Sequence, residues 1–91
     1  MIILHITKRF KRSYKKVPKD IQKDFDKKLE IFEKNPFSTI LSTHKLHGNL
    51  GSSHAFYLKS GFRVLVDFLD KKEILLVNIG NHDEYRKWEK E

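Results

Sequence analysis

Three apolar runs separated by two short polar turns leave this chain little choice of architecture. They are HAFYL, FRVLVDFL and EILLV, within residues 54–77, joined by KSG and by a turn near DKK. Runs of this length, rich in aromatic and β-branched residues, predict strands of an antiparallel meander. Pairing Leu58 with Phe62 puts Phe56, Leu58, Phe62, Val64, Val66 and Phe68 on one face. Ala55, Tyr57, Arg63, Leu65 and Asp67 fall on the other. The first face is expected to be the core and the second to be open, with Tyr57 directly across from Arg63. A two-residue loop at Lys71-Lys72 then pairs Phe68 with Leu75, Val66 with Val77 and Val64 with Ile79. That register sends Asn78 to the open face and keeps the core face apolar.

The first half of the chain has a different period. IILHI at residues 2–6 reads as a strand. Phe10, Tyr14 and Val17 follow at helical spacing. Pro18 is placed to open a second helix, with Ile21, Phe25, Leu29 and Phe32 on one stripe and Asn35-Pro36 as its stop. The expected fold is α+β. An N-terminal strand and a helical hairpin lie on one face of a mainly antiparallel sheet of about five strands, and a short helix closes the chain. Phe10, Phe25, Leu29, Phe32, Phe56, Val64, Val66 and Phe68 are the expected core. With 91 residues, one domain over 1–91 is expected.

Charge and composition narrow the partners. The net charge is +7. Residues 1–36 hold 11 Lys/Arg against 5 Asp/Glu, so the excess lies mainly in that segment, densest in KRFKRSYKK. Such a patch draws polyanions: nucleic acid, an acidic protein or an anionic membrane; the plainer reading is a solvated helix face. There is no cysteine, which excludes disulfides and thiolate metal sites and fits a cytoplasmic location. No apolar run approaches the roughly 18 residues of a membrane span. MIILHI is too short for the apolar region of a signal peptide.

The chemistry concentrates on the second face and its rim. Arg63 is a cation among aliphatic strand residues, and its guanidinium can fork two hydrogen bonds onto a phosphate. A cross-strand partner for Asp67 is the plainer reading. His82 follows Gly80-Asn81 where a strand ends; it is placed to move a proton near neutral pH, or else it is a capping or exposed residue. Asp83 and Glu84 suit a helical first turn. Tyr85 can stack on a base or pack the helix down. In THKLHG, His44 shares a side with Leu46, and Lys45 and His47 point away. The five histidines form no HExxH or Cys/His pattern, so no metal and no cofactor is expected.

Three segments taken in order, HKLHG (44–48), HAFYLKSGFRVLVDF (54–68) and VNIGNHDEY (77–85), resemble the RelE/ParE toxin superfamily, closest to its RelE- and YafQ-like messenger RNA interferases. They match that family's K/H-x-L-x-G element, its G-Y-R-hydrophobic strand and its I-G-x-H/R terminal element. The resemblance implies the toxin of a type II toxin–antitoxin system, a metal-independent endoribonuclease that cuts messenger RNA on the ribosome and is silenced by a small acidic antitoxin. It assigns catalysis to His44, Arg63 and His82. Lys45, His47, Tyr57, Lys59, Tyr85 and Arg86 are the expected RNA contacts. Lys8, Arg9, Lys11, Arg12 and Lys15 are the expected antitoxin contacts. The chain departs from the pattern at Tyr57, where YafQ-like members carry a second histidine and RelE a lysine. Asp67 does not align with the YafQ-like catalytic aspartate, whose place falls near Gly61. The general base is therefore left open. So is the alternative of a non-catalytic ParE-like gyrase inhibitor, or an inactive relative regulated with its antitoxin.

Overall fold

A computed structural model describes residues 2–46 and 53–90. The elements follow as β1 (Ile3–Ile6), α1 (Lys8–Lys15), α2 (Lys19–Lys34), β2 (His44–Lys45), β3 (Ser53–Tyr57), β4 (Arg63–Phe68), β5 (Glu73–Gly80) and α3 (His82–Lys90). The five strands form one mixed sheet in the order β1-β5-β4-β3-β2. Among the described residues only β1 and β5 run parallel; the other pairs are antiparallel. No helix among the described residues is long and apolar enough to cross a membrane.

Local chemistry explains the element ends. Thr7 caps α1: its Oγ1 accepts from the Phe10 N–H at 3.0 Å. The same hydroxyl donates to the Val77 carbonyl at 2.8 Å, tying the helix start to β5. Pro18 opens α2, where its missing N–H costs nothing. Asn35 ends that helix and turns the chain by accepting from the Phe37 N–H. Between β3 and β4, Ser60 and Gly61 both take positive φ, the turn that brings Leu58 back onto Phe62.

The α1–α2 hairpin covers one sheet face. Phe10, Val17, Ile21, Phe25, Phe32, Phe56, Leu58, Val64, Val66, Ile74, Leu76 and Ile79 share that core with Leu41. Phe32 stacks on Phe56 with ring centroids 4.8 Å apart. Truncating so enclosed a ring typically costs about 3–5 kcal/mol. The expected core is therefore present, although Leu29 and Phe68 are only partly buried.

Two expectations are corrected. The second sheet face is not open. The α3 helix lies across it, and Tyr85 and Trp88 bury Leu46, Ala55 and Leu65 in a second apolar cluster. The β4–β5 register is also not uniform. Val64 pairs with Ile79 as expected, but Val66 pairs with Leu76 and Phe68 with Ile74. The turn is longer than two residues because the Asp70 carboxylate accepts from the Lys72 and Glu73 N–H groups. Val77 is left over as a bulge between the two registers, and the Thr7 hydroxyl donates to its freed carbonyl. Asn78 faces Leu65 across the strands, on the α3 side as expected, but it is buried.

Asp24 joins α2 to the β3–β4 turn. It accepts from the Lys59 N–H at 2.8 Å and pairs with Lys28 at 3.1 Å. Burial pushes its carboxyl up, but the Lys59 N–H and the Lys28 and Lys59 charges together outweigh this and hold it below the usual range. A depressed carboxyl stabilises the fold above its unfolded pKa, near 3.9, and loses that contribution as pH falls through its folded value. Asp24→Asn is therefore expected to melt below wild type at pH 7. The gap should narrow as pH falls through the acid range below about 4, read from thermal melts across pH.

Candidate active site

Arg63 opens β4, with Tyr57 opposite on β3 and Gly80 opposite on β5. The strand register alone places its side chain on the α3 face. There the residue is only 8% exposed, with its guanidinium carbon 4.5 Å from the Tyr57 ring centroid and 4.2 Å from that of Tyr85. Two aromatic rings thus hold one cation. Its Nη1 donates to Nδ1 of His82 at 2.9 Å, whereas its Nε is buried with no hydrogen-bond partner among the described residues. Among the described residues no carboxylate pairs with it.

The α3 start aims His82. Asn81 precedes the helix, and its Oδ1 accepts from the Glu84 N–H while Glu84 Oε1 accepts from the Asn81 N–H. This reciprocal cap fixes the first turn. It also explains Gly80: a Cβ there would come within 2.9 Å of the Glu84 carboxyl group. An arginine only donates, so Nδ1 of His82 is the acceptor and the proton of the neutral ring sits on Nε2. His82 itself is exposed.

His44 reaches the same cluster from the sheet edge, through its pairing with Ala55. Its Nδ1 lies 3.1 Å from the Ser42 carbonyl, and its Nε2 lies 2.6 Å from the Tyr85 hydroxyl. A carbonyl only accepts, so Nδ1 carries the hydrogen and Nε2 accepts from Tyr85. Ser42 has φ 50°, a left-handed backbone that costs a non-glycine residue of order 1–3 kcal/mol. That conformation points its carbonyl at the imidazole.

Of the residues expected to be catalytic, Arg63 and His82 are in direct contact, and His44 joins them through Tyr85. Tyr57 lies against both Arg63 and His44, the latter edge-on at 5.3 Å. Lys45 and Arg86 are exposed beside the cluster in sequence, on β2 and α3. Lys59 is elsewhere: its amine is 3.4 Å from Asp20 on α2. His47 lies outside the described residues. Lys8, Arg9, Lys11, Arg12 and Lys15 all sit exposed on α1. No group of three His, Cys, Asp or Glu among the described residues is placed to hold a metal.

Sequence reasoning missed the double contact of Tyr85, the cover provided by Trp88 and the part played by Ser42. Tyr85 and Trp88 were findable, since His82, Tyr85 and Trp88 recur every three residues along one helical stripe. The Ser42 backbone leaves no sequence signal, because serine does not favour positive φ.

The comparisons agree on the fold. Neither a family model nor a curated protein matches the sequence. YafQ from E. coli strain BL21(DE3) superposes with a TM-score of 0.77 at 11% identity, covering 93% of this chain and 98% of that one. A metal-bound toxin from Helicobacter pylori gives 0.76 at 22%, covering 92% and 98%. The toxin of the RelB–RelE antitoxin–toxin complex of Methanococcus jannaschii gives 0.71 at 16%, covering 92% and 96%. The chain has the RelE/YafQ-like toxin fold.

The trapped cation makes a stability prediction. Arg63→Met keeps most of the volume and removes a buried charge that no carboxylate among the described residues offsets. It is expected to melt at or above wild type, whereas Arg63→Ala loses about 1–3 kcal/mol through the cavity it leaves. Added sulfate should raise the melting temperature of wild type by more than that of Arg63→Met, the common part being its general salting-out effect.

Proposed function

We propose that this chain is the toxin of a type II toxin–antitoxin system and a metal-independent endoribonuclease acting on messenger RNA at the ribosome, in the cytoplasm. The observation that carries this reading is Arg63, a buried guanidinium held between two tyrosines, touching a histidine and without a carboxylate partner among the described residues. Such a group favours an incoming anion, and a phosphodiester is the anion whose oxygens match its fork. The shared fold and the resemblance of the three segments point the same way.

RNA brings its own nucleophile. The 2′-hydroxyl attacks the adjacent phosphorus, the bond to the 5′-oxygen breaks, and a cyclic phosphate forms. The reaction needs a proton acceptor, a cation for the non-bridging oxygens and a proton donor for the leaving oxygen. Arg63 takes the second role. His82 takes the third. In the free protein its Nδ1 is occupied by Arg63. A phosphate that turns Nη1 toward itself releases that nitrogen, which can then take a proton. The charged ring is the competent acid. His44 is the acceptor, and Tyr57 offers an aromatic surface beside the phosphate site.

The antitoxin reading rests on α1. An apolar groove of about 350 Å³ lies among Ile6, Phe10, Tyr14 and Phe25, flanked by Lys11 and Lys15. An acidic segment with apolar residues on one side fits it, and several neighbours of this fold were solved with antitoxins. Lys8, Arg9 and Arg12 extend the same basic surface.

Two outcomes test the reading. His82→Gln keeps size but cannot carry the proton, and should slow RNA cleavage by about 10²–10⁴. Folded Arg63→Met should show no cleavage in primer extension on messenger RNA after induction. Growth arrest by wild type without RNA cleavage would instead favour gyrase inhibition. For the partner, Lys11→Glu with Lys15→Glu should weaken capture of a small acidic protein in pull-downs from the native host, and wild-type capture should fall as salt rises.

A further inference from the structure

We infer that Tyr85 is a catalytic residue, the relay through which the 2′-hydroxyl proton reaches His44; the inference rests on the ribonuclease reading above. Its basis is the hydrogen-bond order at His44. The Nδ1 hydrogen is committed to the Ser42 carbonyl, so the ring has one lone pair, on Nε2. That lone pair already accepts from the Tyr85 hydroxyl at 2.6 Å. A substrate proton reaches Nε2 either by displacing Tyr85 or by passing through it.

Displacement is the expensive route. Tyr85 is 6% exposed and packs with Leu46, Ala55, Leu65 and Trp88. Its ring also supports the Arg63 guanidinium at 4.2 Å. Moving it would open the second apolar cluster and release the cation that holds the phosphate. Passing through it moves only protons. The 2′-hydroxyl gives its proton to the Tyr85 oxygen as the Tyr85 proton crosses to Nε2 of His44. The 2′-oxygen bonds to phosphorus, and the departing 5′-oxygen takes its proton from charged His82. His44 ends as an imidazolium held by the Ser42 carbonyl, and Tyr85 ends neutral.

The surroundings suit this transfer. Negative charge passing over the phenol lies beside Arg63, a cation with no carboxylate among the described residues to compete for it. The imidazole that receives the proton is oriented from its far side, as a base that works through a hydroxyl requires. His44 is only half-buried, and its hydrogen bond with the Tyr85 hydroxyl is part-buried rather than enclosed. Tyr57 approaches Arg63 and His44 through its ring, with no hydrogen bond to either among the described contacts, and is not part of the relay.

The test is a kinetic cycle on RNA cleavage by the whole chain, with wild type, Tyr85→Phe, His44→Ala and the double variant. Phenylalanine keeps the ring under Arg63 and removes only the hydroxyl. Each single variant is expected to lose about 10²–10⁴ in kcat with KM within about twofold, and the double variant to be no slower than the worse single one. Difluorotyrosine at position 85 keeps the ring and alters only the acidity of the phenol, so it should change kcat, which a packing role would not do. Wild-type rates in Tyr85→Phe, or fully multiplicative losses in the double variant, overturn the relay while leaving the ribonuclease reading intact. A wild-type protein that cuts no RNA overturns both.

Discussion

A guanidinium keeps its charge at any pH a cell meets, so burying one demands something in return. Here the return is the negative faces of two tyrosine rings and the lone pair of a histidine. None of these is a counter-ion. Most of the second half of the chain serves this arrangement. The tight β3–β4 turn sets Tyr57 across from Arg63, the last pair of β5 brings in Gly80, and α3 delivers His82 and Tyr85 from one turn of helix. A carboxylate in this place would have made a quieter core and a poor anion site.

How much of this was legible depended on which period carried it. The pairing of Tyr57 with Arg63 followed from alternation and a three-residue turn. The helical hairpin followed from the spacing of Ile21, Phe25 and Phe32. The β4–β5 register was right beside Arg63 and wrong at the far end, because a bulge changes the count without changing the hydrophobic pattern. Val77 is as apolar as its neighbours, so nothing in the sequence marks it as the extra residue. The cover over Arg63 was misjudged for a related reason. A nine-residue helix with two buried aromatics looks polar when read residue by residue, and only its three-residue spacing shows the face.

The two clusters on either side of the sheet divide the labour. The larger one, under α1 and α2, contains no described ionisable side chain and fixes the sheet's shape. The smaller one, under α3, mixes leucine, alanine, tyrosine and tryptophan beside the cation and both histidines. Apolar packing there does more than stabilise. It lowers the local dielectric around Arg63 and so strengthens every charge interaction at that face.

Thr7 draws these halves into one order of events. Its hydroxyl closes the start of α1 and at the same time satisfies the bulged carbonyl 70 residues further along. A ribosome makes β1 and α1 long before it makes β5, so the emerging hairpin has neither its parallel strand nor the second bond of its cap. Loop closure over such a span is slow compared with hairpin formation, and topologies rich in distant pairs fold late. The face that carries Arg63, built from β4, β5 and α3, thus matures in the same step that completes the N-terminal helix. A nascent chain of this kind would remain without its assembled cation site for most of its own synthesis.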